Sequence, residues 1–348
     1  SAQNAAGDPS AEAPEEETPE VPEPEPYEIS DPTVMPEGGV RDGVTYAAYD
    51  GIVEHLFFHP VVAYPELAFD GDAQANGIDD YMVTVDEYNK ILQSVYDKGY
   101  VLVDIGDVWS ETTGEDGAPK MVRNTLYLPE GKKPLILSFD DTNYYEYMLT
   151  NGFTYKLVIG EDGKIASWGK DPQGNEVTSR DLDAIPILDK FVEEHPDFSP
   201  FGAKGCLSLT GYEGIFGYRT ASSYSETPDY ESEKEQAARV AQCLRDDGWE
   251  LASHSWGHLW MGVSDDPENP YKISDERFYT DTDKWENEVE SLIGPTDIYI
   301  YPNGNDVADW HPYTEENYRY QYLASKGFRY FCNVDASKPA WIQKGPDY

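Results

Sequence analysis

The sequence predicts an α/β protein built on a parallel sheet or barrel. Three observations carry that prediction. Short apolar runs alternate with segments of helical spacing from about Thr45 onward. Helical segments stop at glycines, as at Gly99 and Gly248, and the next apolar run follows at once. No internal repeat competes with this alternation, and strands alternating with helices of ordinary length argue parallel βαβ units.

The first segment lies outside the pattern. Residues 1–30, "SAQNAAGDPSAEAPEEETPEVPEPEPYEIS", hold nine acids, six prolines and no Lys or Arg. That composition buries too little apolar surface to offset ordering entropy, so residues 1–42 are expected to form a disordered acidic spacer. A spacer behind an N-terminus that begins with Ser rather than Met suits an exported protein held off a membrane or wall, its leader removed.

Residues 43–130 are read as a flank that contributes the first strand and helix. "YAAYDGIVEHLFFHPVVAYP" contains a strand-like run. In "TVDEYNKILQSVYDKGY", residues Tyr88, Ile91, Leu92, Val95 and Tyr96 share one helical face, and Gly99 ends it. "VLVDIGDVW" reads as a strand and "SETTGEDGAPK" as a surface loop. Residues 131–348 supply the rest of the barrel. "KKPLILSFDDTNYYEYMLTNG" predicts a buried strand and then a helix; "FTYKLVIGEDGKIASWG" predicts a hairpin turning at Asp162-Gly163. Helix "DLDAIPILDKFVEEHPD" precedes strand "AKGCLSLTG", and helix "SEKEQAARVAQCLRDDGW" precedes strand "ELASHSWGH". Helix "DTDKWENEVESLI" leads to strand "DIYIYPNG", and "TEENYRYQYLASKG" leads to strand "FRYFCNVD". Two aromatic-rich insertions, near residues 211–231 and 259–279, are expected to be loops.

Charge narrows the partners. With 67 acidic against 25 basic side chains the net charge is −42, and such a surface repels nucleic acid and anionic lipid. A neutral or cationic partner fits, and neutral polysaccharide is one candidate. No apolar run is long enough to span a bilayer. Cys206, Cys243 and Cys332 form no CxxC pair, which argues against thiolate metal ligation; three buried free thiols are expected, with one disulfide as the alternative.

In parallel α/β barrels the reacting residues sit at the C-terminal ends of strands. Three strands here end suggestively: "LILSFDD" in Asp140 and Asp141, "ELASHSWGH" in His254 and His258, and "DIYIYPNG" in Pro302, Asn303 and Gly304. Singly each is ordinary, since adjacent acids often cap a helix and paired histidines occur on surfaces. Together, two neutral imidazoles and one carboxylate make a three-ligand site for a divalent ion, with positions open for water and substrate. A second carboxylate beside the ligating one is then free to act as a base toward the attacking water.

The ordered set "SFDD", "HSWGH" and "YPNG" resembles the first three motifs of polysaccharide deacetylases with the NodB-homology domain. The resemblance covers roughly residues 131–335, and the upstream block from "FFHP" to "VLVDI" resembles the segment that precedes the first motif in exported members. It implies a distorted (β/α) barrel with fewer than eight strands. It implies that Asp140 is the catalytic base, that Asp141, His254 and His258 hold the metal, and that the backbone N–H of Asn303, next to Pro302, helps to stabilise the oxyanion. One divalent ion is implied, zinc as the first choice and cobalt or nickel also allowed.

Departures from the family accompany the resemblance. Ile300 stands where many members have an Arg that orients the base, Asn303 replaces the usual aromatic, and no histidine follows His311 to serve as the late proton donor. A truncated chain, another acid and impaired catalysis all stay open. His59 is the candidate substitute acid, with His311 second. If "IVEHLFFHP" is a strand, His55 and His59 share a face about 13 Å apart, at ~3.3 Å per residue, too far to chelate one ion together. Asp335 and Trp341 loosely match a fourth motif. Trp256, Tyr144 and Tyr145 are offered either as stacking surfaces for sugar rings or as packing. The expected function is metal-dependent removal of acetyl groups, N-acetyl before O-acetyl, from an acetylated polysaccharide or oligosaccharide outside the cell or at its surface. The alternatives are a non-catalytic carbohydrate-binding protein on the same barrel, or a metal amidohydrolase acting on a small non-sugar amide.

Overall fold

The computed structural model describes residues 38–309 and 311–334. Most of the expected spacer, together with Asp335 and Trp341, lies outside the described residues. Seven parallel strands form the central sheet: β1 (Glu54–Phe58), β2 (Tyr100–Leu102), β3 (Lys133–Phe139), β4 (Cys206–Leu209), β5 (Glu250–Ser253), β6 (Ile298–Ile300) and β7 (Tyr330–Cys332). Their order is β7-β6-β5-β4-β3-β1, with β2 also paired to β3. Among the described residues no ladder joins β7 to β1, so the sheet is a distorted barrel of fewer than eight strands, left open at that seam.

Helices connect these strands as parallel pairing requires. Helix α1 (Val85–Asp97) lies between β1 and β2, α2 (Ala184–Glu194) between β3 and β4, and α3 (Tyr230–Asp246) between β4 and β5. Helix α4 (Asp275–Trp285) precedes β6, and α5 (Tyr318–Ser325) precedes β7. Helix α1 starts where its sequence says it should. The Thr84 hydroxyl accepts the Glu87 N–H at 3.2 Å and the Glu87 carboxylate accepts the Thr84 N–H at 3.0 Å, a reciprocal cap. Its apolar face then buries Tyr88 and Leu92.

Strand β3 is central and carries the apolar run that this position demands: Pro134 to Phe139 are all buried. Along β4 and β5 alternate residues go to two clusters, as strand geometry dictates. Leu207, Leu209 and Leu251 join the large core with Leu244 and Trp285 from the helices, whereas Cys206 and Ala252 meet Ile298 and Ile300 in a small one. Truncating one of these core leucines, Leu207→Ala for instance, costs about 2–5 kcal/mol.

Several expectations need correction. The stretch after "SFDD" is not an α-helix but a tight turn followed by a 3-10 segment, Glu146–Thr150, because Asp141 and Tyr144 both take left-handed backbone that an α-helix cannot contain. The "SETTGEDGAPK" loop is a hairpin, Trp109–Thr113 against Pro119–Arg123. The predicted hairpin at Asp162-Gly163 is present, with a third strand, Glu176–Ser179, paired to it. A small antiparallel sheet of Gly39–Arg41, Val44–Tyr49 and Leu126–Pro129 was not anticipated. All three thiols are free, but only Cys206 is buried; Cys243 and Cys332 are half-buried. No helix among the described residues is long and apolar enough to cross a membrane.

Candidate metal centre

The C-terminal edge of the sheet gathers most of the residues that the sequence singled out. Asp140 and Asp141 follow β3 directly, at 6% and 7% exposure. The Asp140 N–H continues the ladder to β1 by donating to the Phe58 carbonyl at 2.7 Å, and the Ser208 hydroxyl of β4 donates to its Oδ1 at 2.9 Å. At Asp141 the backbone turns left-handed, φ 58°, a conformation that Asp tolerates better than most side chains. Consecutive carboxylates thereby acquire separate partners.

His254 follows β5 and is 1% exposed. Its Nδ1 lies 2.7 Å from the Ile300 carbonyl. A carbonyl only accepts, so Nδ1 carries the proton and Nε2 presents a lone pair, the tautomer a metal ligand needs. His258 reaches the same place by a route that the spacing did not suggest. The segment from His254 to His258 is a loop and not a helical turn, with left-handed backbone at Ser255 and His258. Asp281 of α4 pins this loop: its carboxylate accepts the Trp256 N–H at 2.9 Å and the Gly257 N–H at 2.7 Å. The two imidazoles end with ring centroids 4.9 Å apart.

One carboxylate oxygen is the focus. Asp141 Oδ2 lies 3.9 Å from His254 Nε2, 3.8 Å from His258 Nε2 and 3.8 Å from His59 Nε2. These gaps are too long for hydrogen bonds, and they suit two ligands reaching one ion from about 2.0–2.2 Å each. The ligand atoms of Asp141, His254 and His258 all fall within 4.8 Å of one another. His59 is outside that set; its Nδ1 lies 3.1 Å from the Tyr81 carbonyl, so its Nε2 also turns toward Asp141. The donor chemistry fits a divalent cation: a buried carboxylate, two imidazoles with free Nε2, and an acid beside them.

Electrostatics divide the two acids. Burial pushes the Asp141 carboxyl up, but His254, His258 and a hydrogen bond from Tyr145 outweigh it, and its pKa falls below the ordinary value. Burial first, and the Asp141 charge second, push Asp140 up to about 6. Burial also lowers the pKa of His258, which favours the neutral ring that ligation requires.

The remaining candidates are placed less centrally. Asn303 is exposed and left-handed (φ 56°) in the Pro302–Gly304 turn after β6, and Pro302 is buried beneath it. Asn accepts that conformation more readily than most residues. Trp256 is half-buried; the Lys284 ammonium lies 4.2 Å from its ring centroid, and its indole N–H donates to Glu288. Tyr144 is fully buried, its hydroxyl bonded to Asp183, so it offers no sugar platform. His311 is exposed on the loop after Asn303. Among the described residues only His59, His254 and His258 pair with Asp141 through a ring nitrogen. His55 is tied to the Ser138 hydroxyl at 2.8 Å, apart from this cluster. Sequence reasoning missed Ser208 and Asp281. The one available signal for Ser208 was a lone hydroxyl inside the apolar run "CLSL".

No family model matches the chain, and no curated protein matches it. Among solved structures it is similar to the Streptococcus pyogenes deacetylase PplD, at 15% identity over 82% of each chain with a TM-score of 0.40. It is also similar to IcaB from Ammonifex degensii, at 13% identity over 85% of this chain and 92% of that one, with a TM-score of 0.40. A de-N-acetylase from Aggregatibacter actinomycetemcomitans shares 13% identity over 82% of this chain and 88% of that one, with a TM-score of 0.43.

Proposed function

We propose that the protein is a metal-dependent hydrolase that removes acetyl groups from a carbohydrate polymer, N-acetyl in preference to O-acetyl. The observation that carries this reading is the meeting of Asp141, His254 and His258 within 4.8 Å, with the buried, separately held Asp140 adjacent. Asp141, His254 and His258 would hold the ion, zinc by first choice. When bound, the ion supplies Lewis acidity for water activation and for polarising the acetyl carbonyl.

Asp140 takes the proton of the attacking water, its carboxylate aimed by the Ser208 hydroxyl where Ile300 leaves no arginine to do so. The Asn303 N–H, in its left-handed turn, is the backbone donor for the developing oxyanion. His59 is the proton donor to the leaving amine; the Tyr81 carbonyl holds its Nδ1 and leaves its Nε2 turned toward Asp141. The carbohydrate class rests on the ordered motifs "SFDD", "HSWGH" and "YPNG". Export to the cell surface belongs to the same proposal and is supported by the acidic, proline-rich composition of residues 1–42.

Acetate release from chito-oligosaccharides, peptidoglycan and acetylated xylan, with added zinc and with chelator, tests the reading. Chelator-sensitive release from at least one of them, fastest where the acetyl is an amide, is expected. Metal binding without acetate release from any would instead establish a binding protein on this barrel.

A further inference from the structure

Asp141 has a second oxygen that faces away from the histidines. Its Oδ1 lies 2.6 Å from the hydroxyl of Tyr145, a residue only 4% exposed. The same hydroxyl lies 2.6 Å from Thr210 Oγ1. An ionised carboxylate can only accept and the phenol has a single proton, so that proton points at Asp141 and the Thr210 hydroxyl donates to the phenol oxygen. A directed relay results, Thr210 to Tyr145 to Asp141, in which each bond polarises the next.

Neither donor is free to wander. The Tyr145 ring stacks on Tyr212, centroids 5.1 Å apart at 16°, and on Tyr147 at 6.2 Å and 21°. Thr210 is held at both ends of its backbone by one side chain: Asn143 accepts the Thr210 N–H at 3.1 Å and donates to the Thr210 carbonyl at 2.8 Å. Asn143 and Tyr145 belong to the same short turn as Asp141. The turn that carries the ligand therefore also carries the parts that orient it.

We infer that Tyr145, backed by Thr210, is a positioning residue that holds Asp141 as a one-oxygen metal ligand, keeping Oδ1 occupied so that only Oδ2 faces the three imidazoles. The inference rests on the metal-centre reading above. Without the phenol the carboxylate is free to rotate about its last bond and to offer both oxygens, or to turn away.

Zinc affinity, measured by competition with a chromophoric chelator, and the visible spectrum of the cobalt-loaded protein test this together. Asp141→Asn serves as the reference variant. Tyr145→Phe should bind zinc about 10–100-fold more weakly, with a cobalt spectrum changed from wild type. Thr210→Val should weaken binding in the same direction by less, and Tyr147→Phe, which keeps the stack but touches no ligand, should bind as wild type does. Wild-type affinity in Tyr145→Phe overturns the inference, and so does weaker binding with an unchanged cobalt spectrum. If Tyr145→Phe does not fold, Thr210→Val decides: weaker zinc binding supports the relay, and wild-type binding overturns it. Should Asp141→Asn bind zinc like the wild type, the metal-centre reading itself fails, whatever Tyr145 does.

Discussion

The two ends of the central sheet both crowd carboxylates together and treat them in opposite ways. At the C-terminal edge Asp141 faces imidazoles and a phenol, and its pKa is lowered despite burial. At the N-terminal end of β5, its first residue Glu250 meets Asp104, which follows β2, with Asp107 and Asp297 close by. Burial and then the charge of Asp107 push Asp104 up to about 7, and burial followed by the charge of Asp104 pushes Glu250 well above the ordinary carboxylate value. Two buried acids that meet each other share a proton, so Glu250 donates to Asp104 and the pair titrates as a unit. Asp141, which meets imidazoles and a phenol, is held ionised and can hold a cation. One sheet thus holds a proton-sharing acid pair at its floor and an ionised Asp141 at its rim, where the proposed chemistry sits.

The sharpest way to break this contrast is to separate the two rim acids. Asp140→Asn should retain its metal and lose acetate release by about 10²–10⁴-fold, the range for a missing general base. His59→Gln should also retain metal, with a rate about 10²-fold lower. Metal content measured beside acetate release checks both. If Asp140→Asn loses its metal, the rim is not divided into ligand and base.

A smaller effect concerns pH. Asp140 must be ionised to act as a base, and its pKa is pushed up to about 6, so kcat/KM should fall as the pH drops below about 6. A bound cation moves that limb down, not up. Ser208→Ala removes the hydrogen bond that favours the ionised form, and should lower the rate about tenfold, matching about 1.5 kcal/mol for a bond to a charged group. It should also shift the limb upward. A limb unmoved by Ser208→Ala would show that the hydroxyl does not aim the base.

The smallest effect lies at the floor and has the opposite sign from ordinary acid denaturation. A carboxyl whose folded pKa is raised binds its proton more tightly when folded, so its contribution is present at low pH. It is lost as pH rises from the ordinary carboxylate range through about 7, the value for Asp104. Glu250→Gln keeps a donor for Asp104 and has no proton to lose. It should leave Tm unchanged at pH 5 and raise it by roughly 2–4 °C at pH 8, the shift that about 1 kcal/mol produces. A lower Tm at pH 8 would mean that the floor depends on a charged Glu250.

The same contrast explains what could be read from the sequence. Strand β3 was plain from "PLILSF" and helix α1 from its spacing and Gly99, because burial on one or both faces writes a period into the chain. The hairpin Trp109–Thr113 with Pro119–Arg123 was missed because its residues are mostly exposed and leave no apolar pattern. The ligand set was named through a resemblance in three short motifs, and those residues do meet. What escaped was whatever depends on contact alone. Ser208 reaches Asp140 from another strand, Asp281 pins the histidine loop from a helix, and Tyr145 and Thr210 stand 65 positions apart. The left-handed residues Asp141, Ser255 and His258 escaped as well, since none is the glycine that usually signals that conformation.

The central claim is that side chains from separate strands converge on one cation. Metal content by mass spectrometry, after equilibration with zinc and removal of the excess, tests it most directly in the wild type, Asp141→Asn and His258→Ala. One zinc per chain in the wild type and its loss from both variants is the expected result. A variant that folds and retains the wild-type zinc content would contradict it.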